Sequence, residues 1–220
     1  MPQALTNAAL ISFLKENYAS AGFIEGLKIK YRSLICPFIN LLQHIKPGDK
    51  VGDVGCGSGQ FLLLATEFAQ PQSVYGIEIS ERLVGNARAL FKKRANSDFG
   101  FSVYDGIHFP ENLREMDILF LIDVLHHVGN KNRELFIKNL AGAMKPGARL
   151  VLKDIDKASP FVYFNKLHDM IFAGEIGNEI SLAKAVSLLQ KNGLRIVEQR
   201  KQRMYVYPHY SIVAEKEANE

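Results

Sequence analysis

The chain has 220 residues, of which 47% are hydrophobic, and carries 27 Lys and Arg against 23 Asp and Glu, for a net charge of +4. This length is enough for one domain with a sizeable core, in which roughly 70% of the unfolded surface is buried. The positive charge is spread along the chain, and its densest cluster, KKR at residues 92–94, suits a solvated helix C-terminus better than a nucleic-acid-binding patch.

The cysteine content and the N-terminal sequence bear on the compartment. The chain has two cysteines, Cys36 and Cys56, which imply no disulfide framework and fit a reducing cytoplasm. Its N-terminus lacks the basic and apolar regions of a signal peptide, and no stretch approaches the roughly 18 apolar residues of a membrane span. We therefore expect a cytoplasmic protein without an integral membrane segment.

Hydrophobic patterning predicts alternating strands and helices. Apolar residues at helical spacing predict helices over 7–20 and 23–45, and Pro37 should start or kink a helix. Short apolar runs predict strands at 50–54, 73–78, 99–104, 117–122, 148–155, 194–201 and 209–215. Further helices are predicted at 59–69, 80–95 with Ser80 as N-cap, 131–144, and 181–192 with Ser181 as N-cap. Such alternation favours a largely parallel sheet.

The run VGDVGCGSGQF at residues 51–61 is the most informative motif. Asp53 ends an apolar stretch, and three glycines follow at alternate positions: Gly55, Gly57 and Gly59. Glycines in a strand-to-helix turn let a ligand lie against the backbone. A dinucleotide fingerprint would need glycine where Gln60 stands, and a phosphate-binding P-loop would need a following G-K-[ST]. The alternative is a merely structural tight turn.

Acidic residues recur where predicted strands end. In parallel α/β sheets a ligand lies across the carboxyl ends of the strands. Glu78 ends the second strand, 25 residues after Asp53, where its carboxylate can accept hydrogen bonds from both hydroxyls of a ribose. Asp105 and Asp123 follow the third and fourth strands. The alternative is that Glu78 is simply a strand-end glutamate in solvent.

These motifs occur in an order that resembles class I S-adenosylmethionine-dependent methyltransferases: DVGCGSG, GIEIS, VYDG, DILFLIDVLHHV and KPGARLVLKDID. The resemblance covers residues 46–155 by motif and continues to 215 by architecture. It implies an α/β, Rossmann-like, seven-stranded, mostly parallel sheet of order 3-2-1-4-5-7-6, with helices on both faces, an antiparallel last strand and an N-terminal helical cap. Gly52 departs from the family, which usually carries a bulky aliphatic residue there.

The same resemblance implies the domain organisation and the cofactor. Residues 1–46 would form the helical cap and 47–220 the methyltransferase domain of a single globular unit. S-adenosylmethionine would be bound by Asp53, Gly55, Cys56, Gly57, Gly59, Glu78, Ile79, Asp105, Gly106 and Asp123.

Within this set, each strand-end acid would contact a different part of the cofactor. Glu78 would contact the ribose, Asp105 the adenine amino group, and Asp123 the sulfonium and substrate end. Asp53 would serve the methionine moiety directly or through water; its alternative role is as a partner of the next helix dipole.

Candidate catalytic residues are histidines, because a base is needed only if the methyl acceptor holds a proton. His126 and His127 follow the fourth strand, and consecutive residues do not face one way, so we expect at most one to point inward. Both could instead be polar surface or packing residues. His168 lies in a predicted cover over 160–175, and His209 lies in a predicted final connection, YVYPHY, at residues 205–210. No metal ligand is predicted.

The acceptor is predicted to be small and largely apolar or lipid-like, either free or bound to a carrier, with O-methylation favoured over C- or N-methylation. The segments KDID, NKLHD and YPHY resemble bacterial small-molecule methyltransferases found with polyene and fatty-acid-like pathways. A nucleic-acid amino methyltransferase would show [DN]-P-P-[YF] where this chain has IDVLHH, so no nucleic-acid partner is expected. The alternatives are a noncatalytic cofactor-binding protein and a nicotinamide-dependent oxidoreductase.

Overall fold

The structure, a computed structural model, describes residues 5–18, 35–93, 98–159 and 178–218. Within these ranges, seven strands form one sheet in the order β3-β2-β1-β4-β5-β7-β6. Their bounds are β1 Lys50–Val54, β2 Ser73–Glu78, β3 Asp98–Val103, β4 Ile118–Ile122, β5 Arg149–Ile155, β6 Leu194–Met204 and β7 Tyr207–Lys216. β7 runs antiparallel to β5 and β6, and the other pairings are parallel. The predicted fold class and strand order are confirmed.

The helices lie close to their predicted positions. They are α1 Asn7–Asn17, α2 Phe38–Leu42, α3 Gln60–Phe68, α4 Glu81–Lys92, α5 Arg133–Ala143 and α6 Leu182–Lys191, with an unpredicted 3-10 turn at Glu111–Glu115. Ser80 and Ser181 cap α4 and α6 through their hydroxyls, as predicted. Of the predicted helix over 23–45, residues 23–34 lie outside the described part. In the described ranges, no helix combines the length and apolar character needed to span a membrane.

The sheet is buried on both faces, which explains why its central strands are almost uniformly apolar. Every residue of β4 is buried. On one face, Phe120 and Val151 pack in a cluster with residues of α1 to α4. On the other face, Leu121 and Leu152 pack with α5 and α6. The first cluster also contains Leu10 of α1, so the core is continuous across the predicted boundary between cap and domain.

The last two strands are longer than predicted, and this corrects one assignment. The predicted connection at residues 205–210 is only two residues, Tyr205 and Val206, because Tyr205 adopts a left-handed conformation with φ +54° that reverses the chain at once. Pairing therefore continues to Met204 and Tyr207. Tyr207 and His209 consequently lie within β7, where His209 pairs with Ile155 of β5, and not in a connection.

Packing against Leu119 of β4 and Met116 explains why this chain has Gly52 where the family usually carries a bulky aliphatic residue. A Cβ atom built on Gly52 would lie 2.2 Å from Cδ2 of Leu119 and 3.1 Å from Cγ of Met116. The space that an aliphatic side chain would fill at this position is thus already taken by neighbouring side chains.

We expect Gly52→Ala to lower the free energy of unfolding by about 1–3 kcal/mol, the usual cost of overpacking a core. Gly85, in the middle of α4, is the control: a Cβ there meets nothing within 4 Å. Gly85→Ala should raise stability by about 0.5–1 kcal/mol, because it removes a glycine from a helix interior. Urea unfolding of both variants measures this contrast, and equal stability of the two would contradict it.

Candidate functional site

The glycine loop between β1 and α3 presents bare backbone to open space at Gly57. Gly55, Gly57 and Gly59 have φ values of +77°, +54° and +80°, which L side chains rarely adopt. The N–H groups of Gly55 and Cys56 donate to the Ile77 carbonyl at 2.8 and 3.0 Å, tying the loop to β2. A Cβ on Gly57 would meet no atom within 4 Å, so a ligand can rest directly on this backbone.

Glu78, the last residue of β2, holds this loop from the side. Its Oε2 accepts the N–H of Gly57 at 3.1 Å, and its Oε1 accepts those of Ile79 and Ser80 at 2.8 and 3.1 Å. A carboxylate offers about four lone-pair positions. Three of them are occupied, so Oε2 retains capacity for one ligand hydroxyl, and a second would have to displace a backbone N–H.

Asp105 is prepared as an anionic hydrogen-bond acceptor. Its Oδ1 accepts the N–H groups of Ile107 and His108 at 2.8 and 2.7 Å, and its Oδ2 lies 2.6 Å from Nδ1 of His108. These hydrogen bonds hold the pKa of Asp105 well below its usual range. The backbone N–H of His108 has the largest effect, followed by the His108 ring and the backbone N–H of Ile107. Asp105 is therefore ionised at neutral pH and can accept from an amino group.

Aliphatic surface surrounds this acid. Ile79 and Ile107 are 64% and 53% exposed. A Cβ on Gly106 would lie 3.9 Å from Cγ2 of Ile79, so the turn after β3 comes close to the residue after β2. The planar adenine ring of the expected cofactor would cover these exposed apolar side chains and remove them from water. Three features together fit S-adenosylmethionine, the expected cofactor. They are the open backbone at Gly57, the remaining acceptor position of Glu78 for a ribose hydroxyl, and the aliphatic surface beside Asp105.

Two further predicted cofactor residues lie at the ends of central strands. Asp53 is buried, with 3% exposure, near the end of β1. Asp123 directly follows β4 and has φ +56°, a strained conformation for a residue with a side chain and one that concentrates at functional sites. Its Oδ1 lies 2.5 Å from Nζ of Lys153, which is 1% exposed. Lys153 was missed from the sequence, although a lysine within an apolar strand was a usable signal.

Burial separates the two adjacent histidines. His126 is 4% exposed, and the Nδ1 of its ring lies 2.6 Å from Oδ1 of Asp154. Oδ2 of Asp154 accepts the backbone N–H of His126 at 3.1 Å. His127 is exposed, with its ring centroid 4.0 Å from that of His126. Only His126 thus points into the protein. His168 and the predicted cover over 160–175 lie outside the described residues.

Arg133, at the start of α5, fixes the loop that carries His126. Its buried guanidinium donates to the carbonyls of Leu125, Val128 and Asn178 at 3.2, 3.0 and 2.6 Å. The N–H of Asn178 in turn donates to the His126 carbonyl at 2.8 Å. This residue too was missed, because sequence spacing gives no sign that a helix-start arginine is buried.

The charged and polar groups at the carboxyl ends of β4 and β5 are paired with one another, which lowers the cost of burying them. Asp123, His126 and Asp154 each place one potential metal-ligating atom within 4.8 Å of the others. The ammonium of Lys153 already lies against Asp123, and Asp154 already holds the His126 ring. Positive charge at this cluster therefore comes from a side chain, and the expectation of a metal-free site stays a prediction.

His209 is a buried, neutral imidazole. It is 3% exposed, and its Nε2 donates to the Ile35 carbonyl at 2.8 Å. The pKa of His209 is lowered to about 3, mainly by burial and next by the nearby positive charge of Lys153. The negative charge of Asp123 and the hydrogen bond to the Ile35 carbonyl raise the pKa, but by less. A ring with so low a pKa is a weak base at neutral pH, so His209 is better suited to accepting a hydrogen bond than to removing a proton from a substrate.

This burial predicts a pH dependence of stability. Between the unfolded pKa of 6.5 and the folded pKa of about 3, the unfolded chain binds a proton at His209 that the folded protein does not. Stability should therefore fall as pH drops from 6.5, by up to about 1.4 kcal/mol per pH unit from this residue. Urea unfolding between pH 4 and 7 should show a shallower decline in His209→Gln, whereas the exposed-site control His127→Gln should keep the wild-type slope. Identical slopes in all three proteins would contradict the assignment.

Two curated relatives match the chain over different extents. The probable tRNA methyltransferase 9B of Mus musculus is 30% identical over 112 residues, which is 50% of this chain but 23% of that protein. An O-methyltransferase of Pyrenophora dematioidea is 25% identical over 197 residues, covering 87% of this chain and 71% of that protein. The chain thus spans about a quarter of the first relative and most of the second.

Solved structures share the fold. Magnesium protoporphyrin IX methyltransferase from Synechocystis PCC 6803, solved with bound S-adenosylhomocysteine, superposes with a TM-score of 0.68 at 21% identity. The match covers 96% of this chain and 95% of that one. At this identity the likeness shows the architecture alone, which agrees with the strand order described above.

The family assignment rests on the sequence match that spans the site. Residues 27–199 match the family described as a methyltransferase domain, a range that includes the glycine loop, all the strand-end acids and the His126–Asp154 pair. The match covers well over half of the chain and confirms the predicted class I resemblance. The chain belongs to the methyltransferase domain family.

Proposed function

We propose that the protein transfers a methyl group from S-adenosylmethionine to an oxygen atom of a small acceptor, with His126 as general base. Family membership confirms the prediction of a methyltransferase. The shared fold of a solved methyltransferase with bound S-adenosylhomocysteine supports S-adenosylmethionine as the cofactor. The single observation that carries the proposed chemistry is a buried imidazole at the end of β4, oriented through Nδ1 by the carboxylate of Asp154.

The chain's own residues would bind the cofactor along the carboxyl edge of β1 and β2. Glu78 would accept a ribose hydroxyl, Asp105 the adenine amino group, and Ile79 would cover one face of the base. Asp53 and Asp123 lie towards the reacting end. When bound, S-adenosylmethionine supplies a methyl group on a sulfonium sulfur, which makes the carbon susceptible to attack by an acceptor oxygen.

Proton removal is the task that this arrangement suits. An alcohol or phenol becomes a competent nucleophile when its proton is taken, and a positioned histidine contributes typically 100-fold to 10,000-fold. Asp154 fixes the proton of His126 on Nδ1, so Nε2 is the nitrogen that would receive the proton of the acceptor. Arg133 keeps the loop in place and acts as a positioning residue.

A pocket near the site and one relative support a small acceptor. A pocket of about 330 Å³ opens beside the carboxyl end of β5, at the lower limit of ordinary small-molecule sites. The fungal relative that matches 87% of the chain is named an O-methyltransferase. The mammalian relative named for tRNA matches only half of it. An apolar body and a carrier-bound form of the acceptor remain predictions.

A labelling experiment tests this acceptor class. Purified protein is incubated with methyl-labelled S-adenosylmethionine and a metabolite-rich extract, which is then separated into small molecules, protein and RNA. We expect label in the small-molecule fraction, on oxygen, with a mass gain of one methylene unit. Label confined to RNA would contradict the proposal and favour a nucleic-acid substrate.

Loss of the Glu78 carboxylate should weaken cofactor binding. Glu78→Ala removes an ionised acceptor and releases the Gly57 N–H, so we expect a loss of about 1–3 kcal/mol in the affinity for S-adenosylhomocysteine, measured by calorimetry. The control is Glu81→Ala, an exposed glutamate three residues along, which should bind normally. An unchanged affinity of Glu78→Ala would show that this glutamate is only a strand-end residue.

Replacing the proposed base should separate catalysis from binding. We expect His126→Gln to lower turnover of the acceptor found by labelling about 100-fold or more, because no group would take its proton, while cofactor affinity stays normal. His127→Gln, which changes the exposed neighbour, should keep turnover within about twofold. Wild-type turnover in His126→Gln would refute the base assignment and leave transfer to positioning alone.

A further inference from the structure

The ion pair between Lys153 and Asp123 has no role in the proposed proton transfer. Nζ of Lys153 lies 2.5 Å from Oδ1 of Asp123, and the backbone N–H of Asp123 donates to the Lys153 carbonyl at 2.9 Å. The Lys153 side chain is 1% exposed, whereas that of Asp123 is 24% exposed. The lysine therefore reaches the carboxylate from inside the protein, and a ligand can approach the same carboxylate from outside.

This ion pair lies beside the glycine loop. Val54 of β1 pairs with Leu121 of β4, so the glycine loop and Asp123 follow these neighbouring strands at the same edge of the sheet. A Cβ atom built on Gly55 would lie 2.4 Å from Cγ2 of Val124, the residue after Asp123. The turn that carries Asp123 thus packs against the backbone on which the cofactor is proposed to lie.

The strand order indicates which part of S-adenosylmethionine would meet this pair. The proposed contacts put adenine at Asp105, after β3, and the ribose at Glu78, which ends β2. In the cofactor, the sulfonium is attached to the side of the ribose opposite to the base. Continuing in that direction leads over β1 to β4, with neighbouring strands about 4.8 Å apart. The sulfonium would therefore lie towards the end of β4, which Asp123 follows.

Charge at this position distinguishes two ligands. The sulfonium of S-adenosylmethionine is a cation, whereas the thioether of the product S-adenosylhomocysteine is neutral. An Asp123 carboxylate alone would attract the cation, and a Lys153 ammonium alone would repel it, but as a contact pair their fields largely cancel. The ammonium also acts beyond its partner, since the pKa of His209 is lowered mainly by burial and next by Lys153.

We infer that Lys153 sets the balance between binding of the cofactor and binding of its demethylated product, by neutralising Asp123 beside the sulfonium. The inference rests on the proposed function, because it needs S-adenosylmethionine to lie along this edge in the stated direction. Lys153 acts through Asp123 and is a positioning residue. Without Lys153 the site would favour the charged cofactor, and without the Asp123 charge it would favour the neutral product.

Calorimetric titration of the full chain with each ligand, without an acceptor, tests the inference. We expect Lys153→Met to raise the ratio of the affinity for S-adenosylmethionine to that for S-adenosylhomocysteine about tenfold, because nothing neutralises Asp123. Asp123→Asn, which keeps the shape of the side chain, should lower the same ratio about fivefold. Both ligands are measured on one variant, so a general loss of binding-competent protein cancels in the ratio.

Lys145→Met is the matched control. Nζ of Lys145 lies 2.6 Å from Oδ1 of Asp117, which directly precedes β4 at the opposite edge of the sheet. This variant loses the same charge from an ion pair at the other end of the same strand. Its affinity ratio should equal that of the wild type.

Two results would overturn the inference. One is an unchanged ratio in Asp123→Asn, which decides the matter even if Lys153→Met does not fold. The other is an equal shift in Lys153→Met and Lys145→Met, because the effect would then come from net charge. Binding of neither ligand to the wild type would instead contradict the proposed methyl transfer, whereas binding of both with unchanged ratios removes only the role of Lys153.

Discussion

The hydrogen bond from the Gly57 N–H to the Glu78 carboxylate joins the two strand ends on which the site depends. Parallel pairing of β1 with β2 brings their carboxyl ends to the same edge, but it does not fix a loop that contains three glycines. The Ile77 carbonyl holds the start of the loop, and Glu78 holds Gly57 while keeping one acceptor position for a ligand. The carboxylate therefore stabilises the loop itself and is also the expected contact of a ribose hydroxyl.

A second edge of the site is organised by charge. Lys153 and Asp154 are consecutive at the end of β5. Lys153 pairs with Asp123, and Asp154 pairs with His126, and the side chains of Asp123, His126 and Asp154 meet in one cluster at the carboxyl edge of the sheet. Burying these groups is tolerable because each has a partner, and the pairing fixes the two residues that follow β4 from two directions.

Local patterns made much of this structure predictable, and long-range contacts account for what was missed. Ser80 and Ser181 are recognisable as caps because capping involves residues three apart. Arg133 is different: its partner Asn178 lies 45 residues away, and no sequence period announces that contact. The assignment of His209 to a connection was wrong for a different reason, although the predicted strand over 209–215 included it: the turn at Tyr205 and Val206 is only two residues long, so pairing starts at Tyr207.

A crystal structure with S-adenosylhomocysteine would show directly which hydrogen bonds Glu78 keeps. We expect a ribose hydroxyl to donate to Oε2 of Glu78 while the Gly57 N–H remains bound to the same carboxylate, with the adenine beside Ile79 and Asp105. A complex in which the ribose makes no contact with Glu78, or the ligand lies away from the glycine loop, would contradict this expectation.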